Sequence, residues 1–123
     1  MAFNDPAVVT INAVAKNLIR INQDGLGSIY RLRSATDDIT MTSKNSTYVD
    51  KKTGQNMDRH SLDIVQTVFA TSTLPAFRRH AYVVFENQQG DTLTDPVNVA
   101  SGLLTFLTAS SNANLSKMVN SES

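Results

Sequence analysis

The stretch from Phe77 to Leu107 constrains this chain most, because it reads as a strand, a tight turn and a helix in direct succession. From Phe77 to Asn87 the residues alternate. Arg78, His80, Tyr82, Val84 and Glu86 take one face of an extended strand; Phe77, Arg79, Ala81, Val83 and Phe85 take the other. The first face sets an aromatic ring among basic groups and one acid. The second is mostly apolar and needs a cover. Gln88-Gln89-Gly90-Asp91 supplies the turn. Asp95 is a good helix N-cap and Pro96 suits the first helical position. Apolar residues then recur at Val99, Ala100, Leu103, Leu104, Phe106 and Leu107, although Gly102 lowers helix propensity by ~1 kcal/mol relative to Ala. So broad an apolar arc wants more partners than one sheet face offers, which points to an intertwined dimer. Ser110 to Asn112 breaks the helix, and Asn114 caps a short second one from Leu115 to about Asn120.

The preceding residues read as strands and turns. Ala7 to Val14 is β-branched and forms a strand, with Lys16 to Gln23 as its hairpin partner. Asp24-Gly25 ends that partner with a strong turn signal, and Gly27 loosens the next connection. Ser28 to Leu32 is a short strand. Ile39 to Val49 alternates, with Ile39 and Met41 on one side and Thr40, Thr42, Lys44 and Ser46 on the other. Asp50 to Gly54 is a charged loop. The return strand, about Met57 to Val68, puts His60, Leu62, Ile64, Gln66 and Val68 on one face and Arg59, Ser61, Asp63, Val65 and Thr67 on the other. Phe69 to Ala76 is small, polar and broken by Pro75, hence a loop. The pattern is α+β: an N-terminal β-hairpin (1–24), an antiparallel β-sheet (28–88) and two C-terminal α-helices (95–120), in one domain spanning 1–123.

Composition excludes several classes of function. The chain has 11 basic and 11 acidic residues, so it is not a generally basic nucleic-acid binder, though local patches remain open. It has no cysteine, which excludes disulfides and thiolate metal sites. Met1 to Arg20 lacks the charge and apolar core of a signal peptide, and no run reaches the ~18 apolar residues of a membrane span. No nucleophile elbow, glycine-rich phosphate loop or metal-ligand spacing occurs, so no catalytic residue, metal or cofactor is assigned. His60, on the apolar face, reads as a core histidine. Asp37-Asp38, Asp91 and Asp95 read as turn and cap residues rather than cation ligands.

One candidate site remains. Three neighbouring strands would present Thr40, Thr42, Lys44 and Ser46; Arg59, Ser61 and Asp63; and Arg78, His80 and Tyr82 on a single face. Hydroxyls and cations suit phosphate and sugar oxygens, and an exposed tyrosine suits base stacking. An ordinary solvated outer face accounts for the same pattern.

The order of elements, with Arg20-Ile21-Asn22-Gln23-Asp24-Gly25 followed by Tyr30, Asp58-Arg59-His60, and Leu74-Pro75-Ala76-Phe77-Arg78-Arg79-His80-Ala81-Tyr82-Val83-Val84, resembles the coat proteins of single-stranded RNA bacteriophages. The resemblance runs from about Lys16 to Leu107. It implies a homodimer whose helices lie across the partner's sheet, with Val99, Leu103, Leu104, Phe106 and Leu107 at the dimer interface. It implies assembly in the bacterial host cytoplasm into an icosahedral virion shell around the RNA genome. It also implies binding of an RNA hairpin that represses replicase translation. Thr40, Thr42, Lys44, Ser46, Arg59, Ser61, Asp63, His80 and Tyr82 would face RNA, Tyr82 as the base-stacking residue. Val84 replaces a position that is polar in some members. Thr71, Ser72, Thr73, Leu74 and Pro75 resemble the loop between dimers. The alternative is a non-assembling dimeric RNA-binding regulator on the same face; neither reading involves a membrane or a small-molecule substrate.

Overall fold

The computed structural model describes residues 3–122; Met1, Ala2 and Ser123, the ends of the single domain expected above, lie outside the described residues. Six strands follow in chain order: β1 (Ala7–Ile11), β2 (Val14–Gln23), β3 (Gly27–Arg33), β4 (Asp37–Val49), β5 (Asn56–Val68) and β6 (Phe77–Gln88). They lie side by side in that same order, an antiparallel meander. One helical element, α1 (Asp95–Val119), completes the α+β arrangement. The chain forms two compact units, one ending at Glu86 and the other beginning at Asn87.

Alternation explains the first unit. Ala7, Leu18, Tyr30, Ile39 and Met41 are buried, and Val9, Ile11, Leu32, Leu62 and Ile64 pack against them. The register puts Ala7 opposite Leu18, Tyr30 opposite Met41 and Met41 opposite Ile64, so these side chains share one face. Tyr30 is fully buried, yet its hydroxyl is satisfied: it accepts from Arg20 Nε at 3.2 Å and donates to the Phe3 carbonyl at 3.4 Å. The Arg20 guanidinium also sits 5.4 Å from the Tyr30 ring centre. A bulge at Ile21 shifts the β2–β3 register between Arg20 and Asn22.

Three sequence expectations need correction here. The first hairpin turns at Asn12-Ala13, where both residues have positive φ (52° and 61°) and Ile11 pairs with Val14. The β-branched run of 7–14 therefore holds β1, a two-residue turn for which Asn is well suited, and the first residue of β2. The N-cap of α1 is Thr94, not Asp95, and its side chain makes no capping bond. Asp95 is instead held by Thr92: its N–H donates to Thr92 Oγ1 at 3.1 Å, and Thr92 Oγ1 donates to Asp95 Oδ2 at 2.8 Å. His60 shares a face with Leu62 and Ile64 but is exposed, with Nδ1 2.8 Å from Asn45 Oδ1. At that end the strands run beyond the core cluster, so facing inward there does not bring burial.

In the second unit, α1 consists of two helical segments that run on across a break. It is interrupted where the sequence is polar: Ala109 is extended, and Ser110, Ser111 and Asn112 are left-handed. Asn114 Nδ2 donates to the Phe106 carbonyl at 2.8 Å across the break, satisfying an acceptor that the helix leaves open. No residue of α1 is buried. Leu103 is 55% exposed and Phe106 61%.

Candidate nucleic-acid interface

The β4–β5 register fixes which side chains stand together. Thr42 opposes Asp63, Lys44 opposes Ser61, Ser46 opposes Arg59, and Thr40 opposes Val65. Directly opposed residues share a face, so all seven expected positions on these two strands lie on one surface. Their face is opposite the one that carries Met41 and Ile64. β6 extends the surface. His80 Nε2 lies 2.6 Å from Asp63 Oδ2, Arg59 Nε lies 3.6 Å from Glu86 Oε1, and the His80 and Tyr82 rings stand 5.1 Å apart at 36°. On the other face Arg79 Nη1 donates to Gln66 Oε1 at 3.0 Å, as the alternation of β6 requires. Each expected residue on the three strands is therefore brought to the same surface, with Tyr82 66% exposed.

The charges on this surface are organised. Its acids are engaged: Asp38 by Arg31 (Nη2–Oδ2, 2.6 Å), Asp63 by His80 and Glu86 by Arg59. The hydrogen bond from Arg31, with the cation's charge, holds the Asp38 carboxyl below the usual carboxylate range despite an opposing desolvation effect. Among the described residues, Lys44 and Arg78 on this face have no side-chain partner. Two cations are thus available for phosphate oxygens, while paired acids repel an anion less than free ones would.

A cleft of about 300 Å³ opens beside Lys44, walled by Thr42 and Ser46 of β4 and by Asn22, Asp24 and Leu26 of the β2–β3 hairpin. The hairpin is anchored there. The N–H and Nδ2 of Asn45 both donate to the Leu26 carbonyl, at 2.8 and 3.0 Å, and Asp24 Oδ1 accepts from Leu26 N and Gly27 N at 2.8 Å each. Gly27 permits the approach, because a Cβ at that position would stand 2.4 Å from the Ser43 carbonyl oxygen.

Two groups were not legible as site residues. Tyr48 continues the Thr42, Lys44, Ser46 series on β4, opposite Met57. Partial desolvation and the nearby charge of Glu86 raise its pKa above the ordinary tyrosine value. Its period-2 spacing was the available signal. The cleft wall from Asn22 to Leu26 had none, since turn residues do not announce what they fold against.

The remaining expected residues lie elsewhere. Thr71 to Pro75 form an exposed loop that makes its own turn: Thr71 Oγ1 accepts from Thr73 N at 3.3 Å and from Leu74 N at 3.0 Å. Val99, Leu103, Leu104 and Phe106 are exposed on α1, and Leu107 is half-buried. Asp37 and Asp38 belong to structural networks. Asp37 accepts from Ser34 Oγ at 2.6 Å and Gln66 Nε2 at 2.9 Å, and these bonds lower its pKa.

Residues 4–88 match a family model described as "Phage phiCb5, coat protein". Among solved structures, the chain is similar to a "Bacteriophage EMS014 coat protein" with a TM-score of 0.74 and 16% identity, over 98% of each chain. It is also similar to a protein from a "Virus-like particle of bacteriophage ESE001", at a TM-score of 0.47 and 12% identity, over 79% of this chain and 88% of that one. The first likeness is one of fold; the second is too distant to carry a structural argument. No curated relative matches the chain.

Proposed function

Because the chain belongs to the phage phiCb5 coat protein family, we propose that it dimerises, assembles into an icosahedral shell and holds single-stranded RNA on the β4–β5–β6 face. Its role is that of a structural phage coat protein, and its place is the virion capsid. The observation that carries the RNA reading is the surface itself: exposed Tyr82 stands beside the His80–Asp63 pair, with Lys44 and Arg78 on the same face unpaired among the described residues. A base can stack on Tyr82 while cations and hydroxyls meet the backbone. Hairpin binding by that face would let the same surface repress replicase translation before assembly.

The dimer reading is supported by apolar surface with no cover. Leu103 and Phe106 of α1 are mostly exposed, and Phe77 on the apolar side of β6 is 48% exposed. Leaving several such side chains in water forgoes ~1.5–3 kcal/mol each, which a partner's sheet or helix would recover. The exposed Thr71–Pro75 loop is the natural contact between dimers.

Expressing the full chain alone and examining it by electron microscopy and nuclease protection tests the proposal. Closed particles with protected RNA are expected. Soluble dimers that protect no RNA across a range of salt concentrations would overturn it. RNA-binding dimers that never assemble would instead mark a regulator.

A further inference from the structure

Tyr48 and Tyr82 occupy matching surroundings at two ends of the same face. Tyr82 stands beside the His80–Asp63 pair, and Tyr48 beside the Arg59–Glu86 pair. With Arg59 on β5 and Glu86 on β6, the Tyr48 ring on β4 stands two positions along from Ser46, the residue opposite Arg59. It is still 37% exposed. Its neighbouring acid is engaged by Arg59, and Lys44 sits two pairs along β4, next to the Ser46–Arg59 pair.

We propose that Tyr48 is a second base-stacking platform, so that single-stranded RNA is gripped at two points of the face rather than one. This rests on the RNA-binding reading above. The His80–Asp63 contact and the Asp63–Thr42 pair bring Tyr82 level with Lys44, so four positions along a strand and two strands across put the tyrosines roughly 16 Å apart. That span corresponds to several nucleotides, within the ~4–16 that single-strand binding surfaces take up. Lys44, on the same strand as Tyr48 and level with Tyr82, supplies a phosphate contact along that span. The ligand is thus an extended single strand, not one extruded base.

The test uses full-length protein and a labelled, unstructured oligoribonucleotide about 12 nucleotides long. Affinity is read by fluorescence anisotropy for wild type, Tyr82→Ala, Tyr48→Ala, Tyr48→Leu and Tyr48→Phe. Tyr48→Ala and Tyr48→Leu are expected to weaken binding about 5- to 10-fold, the lower end of stacking losses, because the ring is partly covered. Tyr48→Phe, which keeps the ring and removes the hydroxyl, stays within about 3-fold of wild type on the same reasoning. Tyr48→Leu serves as the folded control, since it retains apolar bulk without a π face. If Tyr82→Ala weakens binding and both Tyr48→Ala and Tyr48→Leu do not, the second platform is wrong while the RNA face stands. If Tyr48→Phe is as weak as Tyr48→Ala, the residue acts through Glu86 and not by stacking. If wild type does not bind, or Tyr82→Ala has no effect, the RNA-face reading itself fails.

Discussion

Replacing Gly27 with alanine probes the contact that shapes the cleft beside Lys44, and the structure lets the cost be worked out. The new Cβ would lie 2.4 Å from the Ser43 carbonyl oxygen and 3.4 Å from Lys44 Cα. Both are backbone atoms and cannot swing aside. Ordinary contact begins near 3.4 Å, so β3 and β4 must part by about 1 Å at this point. Overpacking of that kind costs ~1–3 kcal/mol. Separation also strains the bonds from Asn45 to the Leu26 carbonyl (2.8 and 3.0 Å) and from Asp24 N to the Gly27 carbonyl (2.9 Å). Each is worth ~0.5–1.5 kcal/mol net. A total loss of about 2–4 kcal/mol follows, which lowers the thermal midpoint by roughly 10 °C in a domain of this size. Gly25→Ala is the internal control: nothing lies within 4 Å of a Cβ there, and its φ is ordinary. That change is expected to be neutral or to stabilise by ~0.4–1 kcal/mol through the unfolded chain. Thermal and urea unfolding of full-length wild type and both variants, at one protein concentration, measures the difference. Equal effects of the two substitutions, or a Gly27→Ala loss under ~0.5 kcal/mol, would refute the reasoning.

Other expectations concern the face, the helix and acid stability. Tyr82→Ala is expected to weaken RNA binding by ~1–3 kcal/mol while shells still form; unchanged affinity in a binding titration removes Tyr82 from the site. Lys44→Ala should reduce the slope of log affinity against log salt by ~0.7–0.9 if its ammonium meets one phosphate, and a slope equal to wild type shows that it does not. Leu103→Asp or Phe106→Asp should prevent dimer formation, because a partner surface would have to bury an unpaired carboxylate; a dimer of wild-type stability by sedimentation would sink the interlocked reading. Asp38 titrates below its unfolded value because of Arg31, so the unfolded chain binds its proton more tightly. The stabilisation is present above about pH 4 and is lost as pH falls through the depressed folded value. Asp38→Asn should therefore flatten the fall in thermal midpoint between pH 5 and pH 3, and an unaltered slope would contradict the assignment.

The sequence by itself determined which face each strand residue takes. Period-2 alternation is local, so Thr40, Thr42, Lys44 and Ser46, then Arg59, Ser61 and Asp63, then His80 and Tyr82 could be sorted before any pairing was known. The helix start near Pro96 and the polar break at Ser110–Asn112 were local in the same way. The tertiary structure decided what depends on residues far apart in the chain. Gly25, in a strong turn dipeptide, meets nothing, while Gly27 matters because a second strand passes it. The pattern assigned His60 to the apolar face correctly, but burial requires something lying over the strand, and nothing covers that end of β5 well enough to bury it. Tyr48 looked like the end of a strand. Only the arrival of Glu86 from β6 beside Arg59 makes it part of a surface with Tyr82. Side-chain direction is a property of the local backbone, whereas cover, close approach and charge pairing belong to whichever strands meet.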